Sequence, residues 1–269
     1  MEATNSGYDH VASDTRIQQI LNSSESFDEV KEIPTRSKLT YSNGYYVDCT
    51  ALFIDIRDSS KLPENHNRPV LGKLYRAYLS ECVAVINSDL NCREVFINGD
   101  CVSGILNSPY TSDIDRAFST AAKLNSMTQI LNWRLEKKGY AQFRCGIGIA
   151  FGRALMLKAG FSGSGLNEVI WMGDVVNEAS NLCHQGNRAG SAVLQVSTTV
   201  YSNLNDHNKG LLSPRPNPYY PTQYEGNVIN TDMDKWLTEE KEKSRKATTP
   251  NQGLLGLQSL YYGQGLTIK

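Results

Sequence analysis

A basic excess is missing from this sequence: 27 Lys+Arg stand against 28 Asp+Glu, a formal net charge of −1. A protein built mainly to coat nucleic acid needs surplus cations to neutralise phosphates, so that class is set aside, although a single bound nucleotide is not. No stretch approaches the ~18 uninterrupted apolar residues of a membrane-spanning helix. The opening MEATNSGYDH is polar and lacks the apolar region of a signal peptide. Six cysteines, at 49, 82, 92, 101, 145 and 183, never form a CxxC pair, which speaks against a zinc ribbon or disulfide framework and for a reducing cytosol. The expectation is a cytoplasmic chain with neither membrane nor nucleic acid as partner. The four histidines, at 10, 66, 184 and 207, show no ligand spacing and read as structural or surface groups. Internal repeats are lacking too. What the 269 residues do contain is a 40% hydrophobic fraction, enough for a full core in one large domain or two small ones. A charged fraction of 20% argues against disorder.

The first 38 residues are polar and irregular, with Asp14 placed to cap a short helix carrying Ile17, Ile20 and Leu21. Asn43-Gly44, between 39–41 and 45–47, predicts a β-hairpin. Residues 48–56 (DCTALFIDI) read as a strand buried on both faces, followed by a polar loop over 57–67. From Arg68 to Ile86 the apolar residues fall at helical spacing (Leu71, Leu74, Tyr75, Tyr78, Cys82, Val85, Ile86). Strands at 93–97 and 101–106 are joined by Asn98-Gly99, a second hairpin signal. Asp113 caps a long helix that ends at Lys137-Lys138-Gly139. Residues 143–151 and 154–157 predict a strand pair, 168–172 a strand, 174–182 a helix and 192–196 a strand, with Ser197 starting a short helix. The glycines at 160, 163 and 165 read as a hairpin loop rather than a dinucleotide fingerprint. The proline-rich stretch 211–221 predicts a loop or edge, and the charge-rich run 235–246 a helix or a solvated face. This order of elements, with two helices on one face of a mostly antiparallel sheet, predicts a ferredoxin-like α+β fold.

Two aspartates stand out. Asp55 ends a strand of apolar residues, and Asp100 sits at the turn of the second hairpin. A carboxylate at the end of a buried strand is costly without a partner or a cation. If the two strands are neighbours, both side chains converge on one end of the sheet, as Mg²⁺ sites require. On these residues alone a plainer role fits equally well: Asp100 as a turn residue and Asp55 as the cap of the next helix.

Three further segments go together with them: FIDIRDSS (53–60), EVFINGDCVSGIL (94–106) and FRCGIGIAFGRALMLKAGFSGSGLNEVIWMGDVVNEASNL (143–182). In this order they resemble the catalytic domain of the class III nucleotidyl cyclases. That family carries a strand ending F-x-D-I, a hairpin with G-D at its turn, a strand reading R-x-G-I and a junction reading G-(D/N)-x-V-N-x-A-S. The resemblance covers roughly residues 43–205. It implies a catalytic domain over 41–205 with extensions at 1–40 and 206–269, and a head-to-tail homodimer with composite sites. It further implies two Mn²⁺ or Mg²⁺ ions held by Asp55, Asp100 and the backbone carbonyl of Ile56. Phosphates would be cradled by the loop 57–60, Ser59 and Ser60 included, and the ribose positioned by Asn177 from the partner subunit.

Where adenylyl and guanylyl cyclases carry polar purine readers, this sequence has Phe96 and Ile170, neither able to hydrogen-bond a base edge. The departure is similar to the bacterial pyrimidine cyclases of Pycsar anti-phage defence. Their resemblance implies UTP or CTP as substrate, uridylate favoured, and a product that activates a separate effector protein. Asn98, Trp171, Tyr45 and Tyr46 are the candidate base readers. The family's transition-state arginine is replaced by Asn181, leaving Arg57 or Arg188 to supply the charge. Two other readings stay open: an adenylyl cyclase with atypical base readers, and a catalytically degenerate cyclase-like regulatory dimer.

Overall fold

The computed structural model describes residues 2–65, 67–215 and 223–248. The expectations for His66 and for 216–221 lie outside these residues. The chain divides into two compact units, Met1–Asn230 and Thr231–Lys269.

In the first unit, helix α1 (His10–Asn22) starts at Asp9, whose carboxylate accepts from the backbone N–H of Val11 and Ala12. The expected cap, Asp14, lies within the helix and accepts from Gln18 Nε2 instead. Strand β1 (Ser26–Val30) runs parallel to the start of β2 (Asn43–Ile56). The predicted hairpin at Asn43-Gly44 is therefore absent. Asn43 closes the preceding turn through Thr40 N–H and the Lys38 carbonyl. Gly44 is required by crowding, since a Cβ there would meet the Phe27 ring at 2.8 Å. A 3-10 turn over Ser59–Lys61 leads into α2 (Leu62–Asn65).

Helix α3 (Arg68–Asn87) is capped by Asn67 and buries Leu74, Tyr78, Cys82 and Ile86, the i, i+4 stripe that the spacing predicts. Strands β3 (Cys92–Asn98) and β4 (Cys101–Asn107) form the second hairpin, with Gly99 at φ +65° as the turn requires. Helix α4 (Thr111–Lys137) opens with the Asp113 carboxylate accepting from the Tyr110 N–H, so Asp113 sits three residues inside the cap position. Strand β5 (Cys145–Phe161) is one continuous strand of 17 residues rather than the expected pair. It returns through a glycine loop as β6 (Leu166–Met172). Helix α5 (Asp174–Gln185), β7 (Leu194–Val196), α6 (Thr198–Asn203), α7 (Asp206–Lys209), β8 (Ser213–Arg215) and β9 (Gln223–Gly226) complete the unit. The second unit contributes α8 (Thr231–Thr248), which contains the charge-rich run. No helix among the described residues is long and apolar enough to cross a membrane.

The strands form one nine-stranded sheet ordered β3-β4-β2-β5-β7-β9-β8, with β1 beside β2 and β6 beside β5. Its β2-α3-β3-β4-α4-β5 centre, strands ordered β3-β4-β2-β5, is the ferredoxin-like α+β arrangement. Period-two alternation splits β2 between two layers. Leu52 pairs with Gly104, which abuts Ile86 of α3. Val47, Cys49 and Ala51 share the opposite core with Val175, Ala179 and Leu182 of α5. Ile33 and Leu39, ahead of residue 41, are buried in that same core. Asp55 is in phase with this second set and so ends β2 on the α5 side. Gly148 lets α5 seat directly on β5: a Cβ there would lie 2.2 Å from the Ala179 carbonyl oxygen.

Candidate active site

Asp55 is the penultimate residue of β2, and Asp100 follows the β3–β4 turn. Because β4 pairs with β2 in a register that sets Ile54 against Val102, the turn brings Asp100 alongside Asp55. Burial raises the Asp55 carboxyl above its ordinary range, and the Asp100 charge adds to it; Arg57 and Arg188 pull it partly back. Asp100 Oδ2 is buried and has no hydrogen-bond partner. Two converging hard oxygen donors, one of them buried and unsatisfied, fit a divalent cation. No third His, Cys, Asp or Glu among the described residues completes a protein-only metal cluster. That composition suits an ion that keeps coordination sites for phosphate. Ile56 ends β2 opposite Cys145.

Arg57 has a different place from the one expected. Its side chain is 1% exposed. Nη2 donates to Asp55 Oδ2 at 2.8 Å and to the Asp55 carbonyl at 3.1 Å, and Nη1 donates to the His184 carbonyl at 3.0 Å. It is a buried strut between β2 and the end of α5, not a mobile cation over a phosphate. The Arg57 N–H is also taken, by the Arg144 carbonyl at 2.7 Å, and so is withdrawn from the expected cradle. Ser59 and Ser60 lie in the 3-10 turn after Asp58, which is left-handed at φ +54°.

Two exposed arginines lie near this end of β2. Arg144, the arginine of R-x-G-I, ion-pairs with Asp58 at 3.5 Å and is 63% exposed. The sequence signal was present in that motif, but no role was drawn from it. Arg188 lies beyond α5 in a turn where Asn187 and Ala189 both have positive φ. The turn is tied down by Asn187 Nδ2 to the Cys145 carbonyl and by the Ser191 hydroxyl to the carbonyls of Gln185 and Arg188. Cys145 faces Ile56 across the sheet, so Arg188 is held beside the aspartates. Non-glycine residues in this conformation are strained and persist where the surroundings impose them.

At the other end of α5 a cavity of about 330 Å³ is lined by Phe53, Phe96, Ser103, Glu168, Ile170, Trp171 and Val176, among others. Phe96, Ile170 and Trp171 all line it. Asn98 does not join them; it is exposed at the end of β3. Tyr45 contacts the Lys38 carbonyl and Asn43, and Tyr46 lies under Arg153, both outside the cavity. Asn177 and Asn181 are exposed one turn apart on α5. The cavity adjoins the first turn of α5 at Val176, and Phe53 of its wall is one same-face strand step from Asp55.

No family model matches the chain. A uridylate cyclase of Treponema porcinum is 39% identical over 231 residues, 86% of this chain and 81% of that protein. A uridylate cyclase of Gulbenkiania mobilis is 36% identical over 258 residues, 90% of this chain and all of that one. Among solved structures, a class III adenylyl cyclase-like ATP-binding protein from Pseudomonas aeruginosa superposes with a TM-score of 0.62 at 16% identity, over 84% of this chain and 48% of that one. The adenylyl cyclase CyaB from P. aeruginosa gives 0.58 at 21% identity, over 70% and 96%. At these identities the structural likeness is one of fold.

Proposed function

The chain belongs to the uridylate cyclases, and from that premise we propose that this nucleotidyl cyclase converts UTP, rather than a purine nucleotide, to 3′,5′-cyclic UMP and pyrophosphate. The convergence of Asp55 and Asp100 around a buried, unpartnered carboxylate oxygen carries this reading. Asp55, Asp100 and the Ile56 carbonyl would hold two divalent ions, Mn²⁺ or Mg²⁺. Bound there, such ions lower the pKa of the ribose 3′-hydroxyl and neutralise charge on the α-phosphate. The 3′-oxygen forms its bond to the α-phosphorus, the α–β bridging bond breaks in line with it, and the 3′-proton goes to water.

The chain's own residues do the rest. Arg57 fixes the Asp55 side chain and its strand. Arg144 and Arg188 meet triphosphate charge, Arg188 standing in for the cation that Asn181 does not supply, while Asn181 donates a neutral hydrogen bond. Ser59 and Ser60 border the phosphates. In a head-to-tail pair each chain's base cavity and Asn177 would serve a nucleotide held by the partner's aspartates. Phe96 and Ile170 leave no purine reader in the cavity, which supports a pyrimidine base. The cyclic nucleotide would serve as a second messenger of anti-phage defence, acting on a separate effector protein.

The test is incubation of the chain with each of the four NTPs and Mn²⁺ or Mg²⁺, identifying products by mass spectrometry and measuring pyrophosphate. Cyclic UMP as the main product is expected. Preferential conversion of ATP would overturn the pyrimidine reading. Tight nucleotide binding without pyrophosphate release would instead support a regulatory dimer, which the neutral Asn181 favours.

A further inference from the structure

The cavity's apolar walls cannot tell one pyrimidine from another, so its polar groups decide. Three border it. The Ser103 hydroxyl makes no hydrogen bond within the described residues, and the Trp171 indole N–H is buried without an acceptor. The third is the Glu168 carboxylate. Glu168 is two residues before Ile170 on β6, on the same face of the strand by period-two alternation. An ionisable group thus stands one strand step from the position that lost its polarity.

Glu168 is also held. Its Oε1 accepts from Arg36 Nη1 at 3.1 Å and from the Val169 N–H at 3.2 Å. Arg36 cannot follow the carboxylate elsewhere, because its Nε and Nη2 form a fork on Glu94, a side chain 6% exposed on β3. Releasing that fork strands a buried charge. The second oxygen, Glu168 Oε2, has no hydrogen bond in the structure. An acceptor with one open oxygen, its side chain 43% exposed, therefore borders a cavity that two unengaged donors also border.

Building on the pyrimidine reading, we infer that Glu168, positioned by Arg36, reads the base by accepting the N3–H of uracil through its open oxygen. The uracil edge runs carbonyl, N–H, carbonyl. It needs an acceptor flanked by donors, and Glu168, Ser103 and Trp171 are the cavity residues whose side chains can supply them. Cytosine presents a lone pair at N3, which faces a carboxylate unfavourably. Arg36 comes from the segment ahead of β2, so that segment has a part in substrate choice as a positioning element.

The experiment uses the full-length chain. Steady-state kcat/KM is measured for UTP and CTP, together with calorimetric binding of 3′-deoxy-UTP and 3′-deoxy-CTP, which lack the attacking hydroxyl. Glu168→Gln keeps the shape and can turn an amide N–H toward cytosine. The UTP:CTP preference should fall roughly 10- to 100-fold, the range of one hydrogen bond to a charged group. Binding of the two 3′-deoxy nucleotides should converge by the same ratio. Arg36→Lys, which keeps the charge but not the fork, should fall between wild type and Glu168→Gln. A preference unchanged in folded Glu168→Gln overturns the inference. If that variant is unstable, Glu168→Asp, which keeps the charge and withdraws the carboxylate by one methylene, decides by the same ratio. Wild-type chain that makes no cyclic UMP refutes the earlier reading instead, so the two failures are distinguishable.

Discussion

In the proposed site Asp55 and Asp100 would serve alike in holding a cation, but they act oppositely on the fold. Replacing Asp55 with alanine removes the carboxylate that Arg57 meets at 2.8 Å while the guanidinium stays 1% exposed. Stripping one member from a buried ion pair costs about 3–5 kcal/mol. The carbonyls of Asp55 and His184 still accept from Arg57, and the repulsion between the two aspartates disappears, so the lower end, about 3 kcal/mol, is expected. For a chain of this size that corresponds to a melting temperature lower by roughly 6–12 °C. Asp100→Asn leaves Arg57 paired and removes a like charge from beside Asp55. It should melt at the wild-type temperature or about 2–4 °C higher. Thermal melts near neutral pH with EDTA, alongside pyrophosphate release with Mn²⁺, measure both. Each variant should lose turnover. The double variant Asp55→Leu/Arg57→Met should recover most of the lost stability without recovering turnover. Equal melting shifts for Asp55→Ala and Asp100→Asn would refute the strut assigned to Arg57.

The raised Asp55 carboxyl has a definite sign: the folded chain takes that proton more readily than the unfolded one, so without divalent ions the chain gains stability as pH falls from neutral through the raised value. For the same reason the Mn²⁺ concentration for half-maximal activity should rise as pH falls; a pH-independent requirement would exclude Asp55 as a ligand. Arg188→Ala should lower kcat roughly 100-fold with a smaller change in KM, and stopped-flow turnover at saturating UTP would show it. Mixing Asp100→Asn with Asn177→Ala chains should restore activity above either alone, since one composite site is rebuilt; verified heterodimers without recovery would contradict a shared site.

Much of the fold was legible because its signals are local. The helical stripe of α3, the Asn98-Gly99 turn and the alternation of strands and helices need no knowledge of distant residues. The aspartate pair could be foreseen because one turn and one strand end fix it. What was missed depends on partners far along the chain. Asn43-Gly44 has the composition of a hairpin turn, yet its glycine answers crowding from Phe27 and Met156. The two strands expected at 143–151 and 154–157 are one, running through Gly152 in register with Cys49. Arg57 adjoins a polar loop and looked free, since nothing local announces the His184 carbonyl that holds it. Nothing local marks Glu168, because the Arg36 that holds it lies 132 residues away.

The seat of α5 on β5 has a mechanical consequence. At Gly146 and Gly148 the helix backbone lies so near the strand that even one methyl group would strike the carbonyls of Cys183 and Ala179. Contact this tight leaves no slack for sliding. The strand end that carries Asp55 and the helix that carries Asn177 therefore travel as one rigid piece. Whatever movement the proposed reaction needs to admit a nucleotide and release its product is borne by joints outside that piece.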